Sequence, residues 1–560
     1  MRRSGCGRDD VIRLGMAWHR ALVGVSALLF LAPAVAAGQT PSALKPLMRS
    51  FEAYARDLDR LDEVWPSSVR SPIASPLPAL PPPAADALPQ QPAEVTINQR
   101  LRIDLQQAID LAVQNDPGLQ QQIAAVREQQ GWLRSVRGRF FPILGLDLAG
   151  AYSQEYGNND VWEGNADVPG YGPDSPFFVP TGGTNRYQTN LGFGFAQFRI
   201  DYELLSFERS AAFGQVSADL DRVQQLYGNR LRQLQLEVSE AYYRLQLADQ
   251  LFRIRLVVVD NDQVILDQVK SMKAVGLVPR VDLLRAEARL LQERFRLEQA
   301  EALRLSSQRL LSNLVNVPFV VTLEAREAVQ LQPPWPLDLE QTIVRGFEDN
   351  PQLKALQAAR VALQRRADRS AAALLPRIGL FATAGYLAAQ STSPVIELNG
   401  CCKGPAFIPG LNSERGDWTA GMLLNWRLFD AGVTAGAVEA NRAAAERTLQ
   451  AEASERNGIR QRLESAFYDH RAALSQIIAA NASFQAAKEA YRDSRARYEF
   501  GLADYTDLAD TIASLTTAME QRAEAMTLAN LSYARLLREL LPVPMQPGQP
   551  LQLPITLPSG

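Results

Sequence analysis

Two halves of this 560-residue chain repeat one another at a long offset, and a duplication of that size restricts the fold more than any single motif. Asp104-Leu105, Gln107, Ile109, Pro117, Leu119 and Pro142 recur 234 positions later as Asp338-Leu339, Gln341, Ile343, Pro351, Leu353 and Pro376. Farther on, Ala241-Tyr242-Tyr243, Gly276-Leu277 and Asp282-Leu283 recur 225 positions later as Ala466-Phe467-Tyr468, Gly501-Leu502 and Asp507-Leu508. The first repeat is placed at residues 99–316 and the second at 337–540, with a Pro-rich linker over 317–336.

Each repeat opens with a short amphipathic helix that stops before Asn115-Asp116-Pro117 or Asn350-Pro351, where Asp116 or Asn350 suits an N-cap and proline the first helical position. A longer helix follows to Phe141 or Leu375, and Pro142 or Pro376 ends it. Hydropathy then changes period from 3.6 to 2. Strands are expected at about 143–155 and 187–203, and again at about 377–387 and 417–428. Leu144, Leu146, Leu148 and Tyr152 share one face, as do Ile378, Leu380, Ala382 and Tyr386, and Trp418, Ala420, Met422, Leu424 and Trp426. Exposed loops are expected over Glu155–Arg186 and Ala388–Gly416, rich in Gly, Asn and Pro. Helical stretches then run from Leu204 to Val275 and from Ala431 to Phe500, and at 1.5 Å per residue each spans about 100 Å. Gly276 and Gly501 break them, and return helices reach Asn316 and Leu540, which gives two long antiparallel hairpins.

Residues 1–37 have the form of a secretory leader, with arginines before the apolar run Ala21–Ala32 and small residues to Ala37. An extension at 38–98 holds a candidate helix, Leu44–Val64, and a proline-rich stiff stretch; residues 541–560 form a Pro-rich tail. Past the leader no run approaches the roughly 18–20 apolar residues of a membrane-spanning helix, so a bilayer crossing here requires β-strands. A net charge of −3 argues against nucleic acid as a partner. With three cysteines and two histidines in the whole chain, neither a metal centre nor another cofactor is expected. No Ser/His/Asp order suggests an enzyme. His470, on a long helix, is expected to have a surface or packing role, and Cys401-Cys402 to lie in the second loop as a free or processed pair, with a vicinal or intermolecular disulfide as the alternative. Gly157–Asp160 lacks the ligand spacing of a calcium loop.

Four half-apolar strands cannot close a barrel, whereas two or three copies supply eight or twelve. The duplicated Asp-Leu opening (Asp104–Leu119 and Asp338–Leu353), the helix-ending Pro142 and Pro376, and the tips Gly276-Leu277 and Gly501-Leu502 resemble the TolC-like outer-membrane efflux protein family over about residues 100–540. The resemblance implies a mixed α+β membrane protein. It forms a homotrimer whose chains each give four strands to a 12-stranded barrel in outer-membrane lipid, above a periplasmic tunnel of coiled helices. Such a trimer is the passive exit duct of a tripartite efflux pump or type I secretion system, served by a periplasmic adaptor and an inner-membrane RND or ABC transporter. The alternative is a periplasmic coiled-coil scaffold without channel activity, which leaves the four strands unexplained.

The resemblance also implies site residues. Asp507 and Asp510, three apart on a helix, become stacked carboxylate rings under three-fold symmetry and form the periplasmic entrance. Asp282 is the first repeat's counterpart of Asp507, while Arg285 stands where Asp510 does and is free to pair with a carboxylate. Tyr498 matches a tyrosine that helps hold the entrance shut by hydrogen bonding. The bland reading makes Asp504 an N-cap and Asp507 a helix-start acid. Gly276, Leu277, Val278, Gly501 and Leu502 sit where relatives contact the adaptor; each glycine is also an ordinary C-cap.

Overall fold

A computed structural model describes residues 80–542, apart from 85, 87, 162–166, 168, 171–173, 175–182, 328 and 399–407. The leader, the Leu44–Val64 stretch, Cys401-Cys402 and the tail past Pro542 lie outside the described residues. In chain order the elements are β1 (Gln99–Ile103), α1 (Leu105–Asn115), α2 (Pro117–Gly138), β2 (Ile143–Val161), β3 (Gly183–Leu205), α3 (Phe207–Ala274) and α4 (Arg280–Val315). The second half follows the same plan with β4 (Val321–Ala325), α5 (Leu339–Glu348), α6 (Pro351–Ala371), β5 (Arg377–Leu398), β6 (Ile408–Asn425), α7 (Val433–Glu499) and α8 (Tyr505–Leu540).

The repeated opening motif is a helix start. Asp104 Oδ1 accepts from Gln107 N at 2.8 Å while Gln107 Oε1 accepts from Asp104 N at 3.0 Å, a complete capping box, and Asp338 accepts from Gln341 N at 2.7 Å. Asp116 accepts from Leu119 N at 2.6 Å and Asn350 from Gln352 N at 2.9 Å, with the proline at the first position of each following helix. The expected 317–336 linker is corrected: β4 lies within it and pairs in parallel with β1, from Gln99↔Val321 to Ile103↔Ala325. Val321 and Leu323 are buried beside Ile103. Five residues between Pro318 and Pro333 carry too little alternation to be seen in sequence.

The other four strands form one antiparallel sheet in the order β2-β3-β5-β6. Register places the apolar faces of all four on one side: Leu144 opposes Ile200, then Ala382, then Ala420, and Leu146 opposes Phe198, then Ala384, then Trp418. On the other side Gly145, Arg199, Thr383 and Thr419 make one row and Asp147, Gln197, Gly385 and Asp417 the next. The apolar band from Leu144 to Tyr152 matches the 9–11 residues of a tilted membrane strand.

The strands nevertheless run 19, 23, 22 and 18 residues, so much of the expected loops Glu155–Arg186 and Ala388–Gly416 is paired strand. Gln390 and Asn412 already stand in the Tyr152 row at the band's margin, and in the next row of the lipid-type face Gln154 and Asn190 replace apolar residues. Period-2 hydropathy vanishes there, while the backbone ladder continues. β2 and β6 are the sheet's edges, each paired along one side only within the chain. No described helix is long and apolar enough to cross a membrane.

Helices hang from the sheet on a polar joint. Arg209, buried at the start of α3, donates to Glu203 O at 2.5 Å and Arg139 O at 3.0 Å and lies over the Phe140 ring. Lower down, Arg232 is 2% exposed and donates to Leu541 O (2.7 Å), Glu539 O (2.9 Å) and Asp349 O (3.2 Å). Two of these carbonyls belong to the end of α8, which no further helical turn satisfies. Burial lowers the guanidinium's pKa to about 10. Arg232→Met is expected to destabilise the fold by roughly 3–5 kcal/mol, read as a fall in the thermal unfolding midpoint, because two buried carbonyls and the partly buried Asp349 O lose one charged donor. An unchanged midpoint would contradict this account of the joint.

Candidate functional site

The two hairpin tips are built by one device. Gly276 and Gly501 have φ of +80° and +72°, in the left-handed region that glycine enters without strain. Leu277 N donates to Met272 O at 2.9 Å and Leu502 N to Arg497 O at 2.8 Å, while Gly276 N and Gly501 N donate to Lys273 O and Tyr498 O, both at 3.0 Å. These are Schellman closures, in which the residue after the glycine commonly packs back onto its helix. Here it does not: Leu277 is 70% and Leu502 78% exposed. Val275 and Phe500, which precede the glycines, are exposed as well. Sequence reasoning missed these two, although an apolar residue directly before a helix-ending glycine was the available signal. Val278, of the same expected set, is partly buried and packs against the core between the hairpins.

Beside the tips, Asp504 Oδ1 accepts from Asp507 N at 2.9 Å and caps α8. The cap uses the backbone of Asp507 and not its carboxylate. Asp507 and Asp510 are both exposed, and among the described residues neither carboxylate has an ion-pair partner. Asp282, the first repeat's counterpart of Asp507, is by contrast buried and pairs with Arg285 at 3.5 Å. Arg285 Nη1 also donates to Thr506 Oγ1 at 3.2 Å.

Tyr498 is buried, and its hydroxyl has no hydrogen-bond partner among the described residues. Burial, helped by the negative Asp282, raises its pKa. One turn deeper, Arg289 Nε donates to Asp262 Oδ2 at 3.0 Å and Nη1 to Ala509 O at 2.7 Å. Burial pushes the Asp262 carboxyl up to about 6 against the pull of Arg289, and the Tyr505 phenol beside it up to about 12.

His470 is no part of this site. It is buried, with Nε2 accepting from Trp335 N at 3.3 Å, which leaves the proton on Nδ1 to face Ala529 O at 3.2 Å. A second ring proton would meet the Trp335 N–H, and burial lowers the pKa. The unfolded chain therefore takes up a proton at a higher pH than the native one, so this contribution to stability is full above about pH 6.5 and erodes as pH falls. Between about pH 7.5 and 5.5, wild type should lose more of its thermal midpoint than His470→Gln, by up to about 1.4 kcal/mol per pH unit. The variant is the proper reference because Asp262 acts with the opposite sign. Equal losses in both proteins would rule out the neutral latch.

The sequence model described as "Outer membrane efflux protein" matches residues 108–317 and 344–540, both repeats and both tips. The chain belongs to the outer membrane efflux protein family. No curated protein matches it by sequence. Its fold is similar to the Campylobacter jejuni CmeC outer membrane channel, with a TM-score of 0.61 at 13% identity over 78% of this chain and 85% of that one. VceC of Vibrio cholerae gives a TM-score of 0.55 at 16% identity, covering 78% and 95%. The open state of the Neisseria gonorrhoeae MtrE channel gives 0.53 at 17%, covering 83% and 98%. As a member of the family, this efflux protein is an outer-membrane channel of a Gram-negative bacterium.

Proposed function

We propose that three copies of the chain close a 12-stranded barrel and form the passive exit duct of a tripartite efflux pump or type I secretion system. The observation that carries this reading is the sheet itself. It has an apolar band running across all four strands and two edges that are unpaired among the described residues, so it is stable in lipid only when other copies complete it. Four strands fall short of the smallest known single-chain barrels, and three chains reach an even twelve. α3, at 68 residues, extends the tube by about 100 Å below the membrane. Its far end is the pair of tips.

In this reading Asp507 and Asp510 line the periplasmic entrance and select cations. Val275, Leu277, Phe500 and Leu502 dock a periplasmic adaptor, which joins the duct to an inner-membrane transporter that supplies the energy. Exposed apolar residues grouped at a polar tip support a docking role.

The test is single-channel recording from purified protein in a planar bilayer, with mass measurement of the assembly in detergent. Small cation-selective openings from a three-chain particle are expected. Folded, inserted protein without conductance would favour a scaffold.

A further inference from the structure

We propose that Arg285 and Arg289 are positioning residues that hold the entrance carboxylates at their working radius, each gripping α8 at the residue just before a carboxylate. This rests on the entrance reading of Asp507 and Asp510. Arg285 reaches Thr506 Oγ1 at 3.2 Å and Arg289 reaches Ala509 O at 2.7 Å, and the next residues are Asp507 and Asp510. The arginines are four apart on α4 and their targets three apart on α8, so each helix offers one turn to the other. The contact is a two-rung clamp between the repeats.

Each rung is braced by an acid of the first repeat. Asp282 faces Arg285 at 3.5 Å, and Asp262 on α3 holds Arg289 at 3.0 Å. The Arg289 rung is the stiffer one, with side chains 17% and 3% exposed, against 55% and 13% at Arg285. Neither guanidinium is spent on Asp507 or Asp510, so the clamp fixes α8 without neutralising the charges it positions.

The duplication explains how the parts came to be neighbours. Arg285 occupies the position that Asp510 holds 225 residues later, and the hairpins lie side by side. One repeat supplies the carboxylates and the other the clamp. Loosening the clamp lets the first turns of α8 move, and attraction for an ion on the axis falls as the carboxylates recede.

Magnesium block of single-channel current is the probe, compared among wild type, Arg289→Met, Arg289→Lys and Arg285→Met, each also in the Asp507→Ala/Asp510→Ala background. Arg289→Met is expected to weaken block at least about tenfold with both aspartates present, and Arg289→Lys to recover all but about threefold of it. In the background lacking the aspartates, none of the arginine changes should alter block further, a dependence that a merely structural role would not show. Wild-type block in Arg289→Met, beside lost block in the aspartate variant, overturns the clamp and leaves the entrance standing. Wild-type block in the aspartate variant overturns the entrance reading itself. Should Arg289→Met fail to insert, the exposed rung decides: Arg285→Met is expected to weaken block about threefold, and no change there refutes the proposal.

Discussion

Leu277→Asp/Leu502→Asp is expected to abolish export while the folded channel still reaches the outer membrane. Both leucines are largely exposed and follow the glycine that closes the helix through backbone bonds alone. The Schellman geometry does not depend on their side chains, and exposed substitutions of this kind change stability by only about 0.5 kcal/mol. Docking is different. Burying a leucine against a partner contributes roughly 1.5–3 kcal/mol, and an aspartate in its place adds an unpaired carboxylate to the interface. Two such losses per chain, repeated over three chains, exceed the margin of any ordinary protein–protein contact. A strain lacking its own channel and carrying the variant should be as sensitive to the exported compound as one carrying no channel, while the purified variant keeps wild-type conductance. Wild-type resistance would remove the tips from the docking surface. Phe500→Ser, on one tip only, should give a partial loss.

Asp507→Ala/Asp510→Ala is expected to leave a conducting channel that has lost its preference for cations. Two carboxylates per chain, each exposed and without an ion-pair partner among the described residues, place six negative charges around one axis in the proposed trimer. Unit charges interact by about 1 kcal/mol at 4 Å in water and by several times that where the walls have a low dielectric. Losing them should weaken magnesium block about a hundredfold, close to 3 kcal/mol, and bring the reversal potential in a salt gradient toward zero. α8 should remain in place, because Asp504 still caps it and Arg289 still holds Ala509 O. Retained selectivity would move the constriction elsewhere in the tube.

Much of the fold was legible because duplication and periodicity reinforced each other. The caps at Asp116 and Asn350, the breaks at Gly276 and Gly501, and the apolar faces of β2, β5 and β6 stand where the sequence placed them. What escaped had a physical reason. β1 and β4 are five residues each, and their pairing across 222 positions leaves no local trace. The outer halves of β2, β3, β5 and β6 carry polar residues on both faces, so only backbone pairing marks them as strand. At the tips, the exposed positions of Asp507, Asp510, Leu277 and Leu502 follow from their place in the repeat. Val278 is partly buried, packed against the core between the hairpins. The tie from Arg289 to Ala509 was beyond reach, since it joins a side chain to a backbone carbonyl 220 residues away and no residue-type pattern encodes that.

The open edges of β2 and β6 have a genetic consequence. In the proposed trimer each chain finds a neighbour on both sides before any enters lipid, so a subunit that assembles but cannot work spoils every ring it joins. In a cell making equal amounts of sound and tip-defective chains, random mixing into threes leaves about one ring in eight wholly sound. Tip and entrance alleles should therefore behave as dominant when co-expressed with wild type, whereas alleles that prevent edge pairing should be recessive, their products never reaching a shared ring.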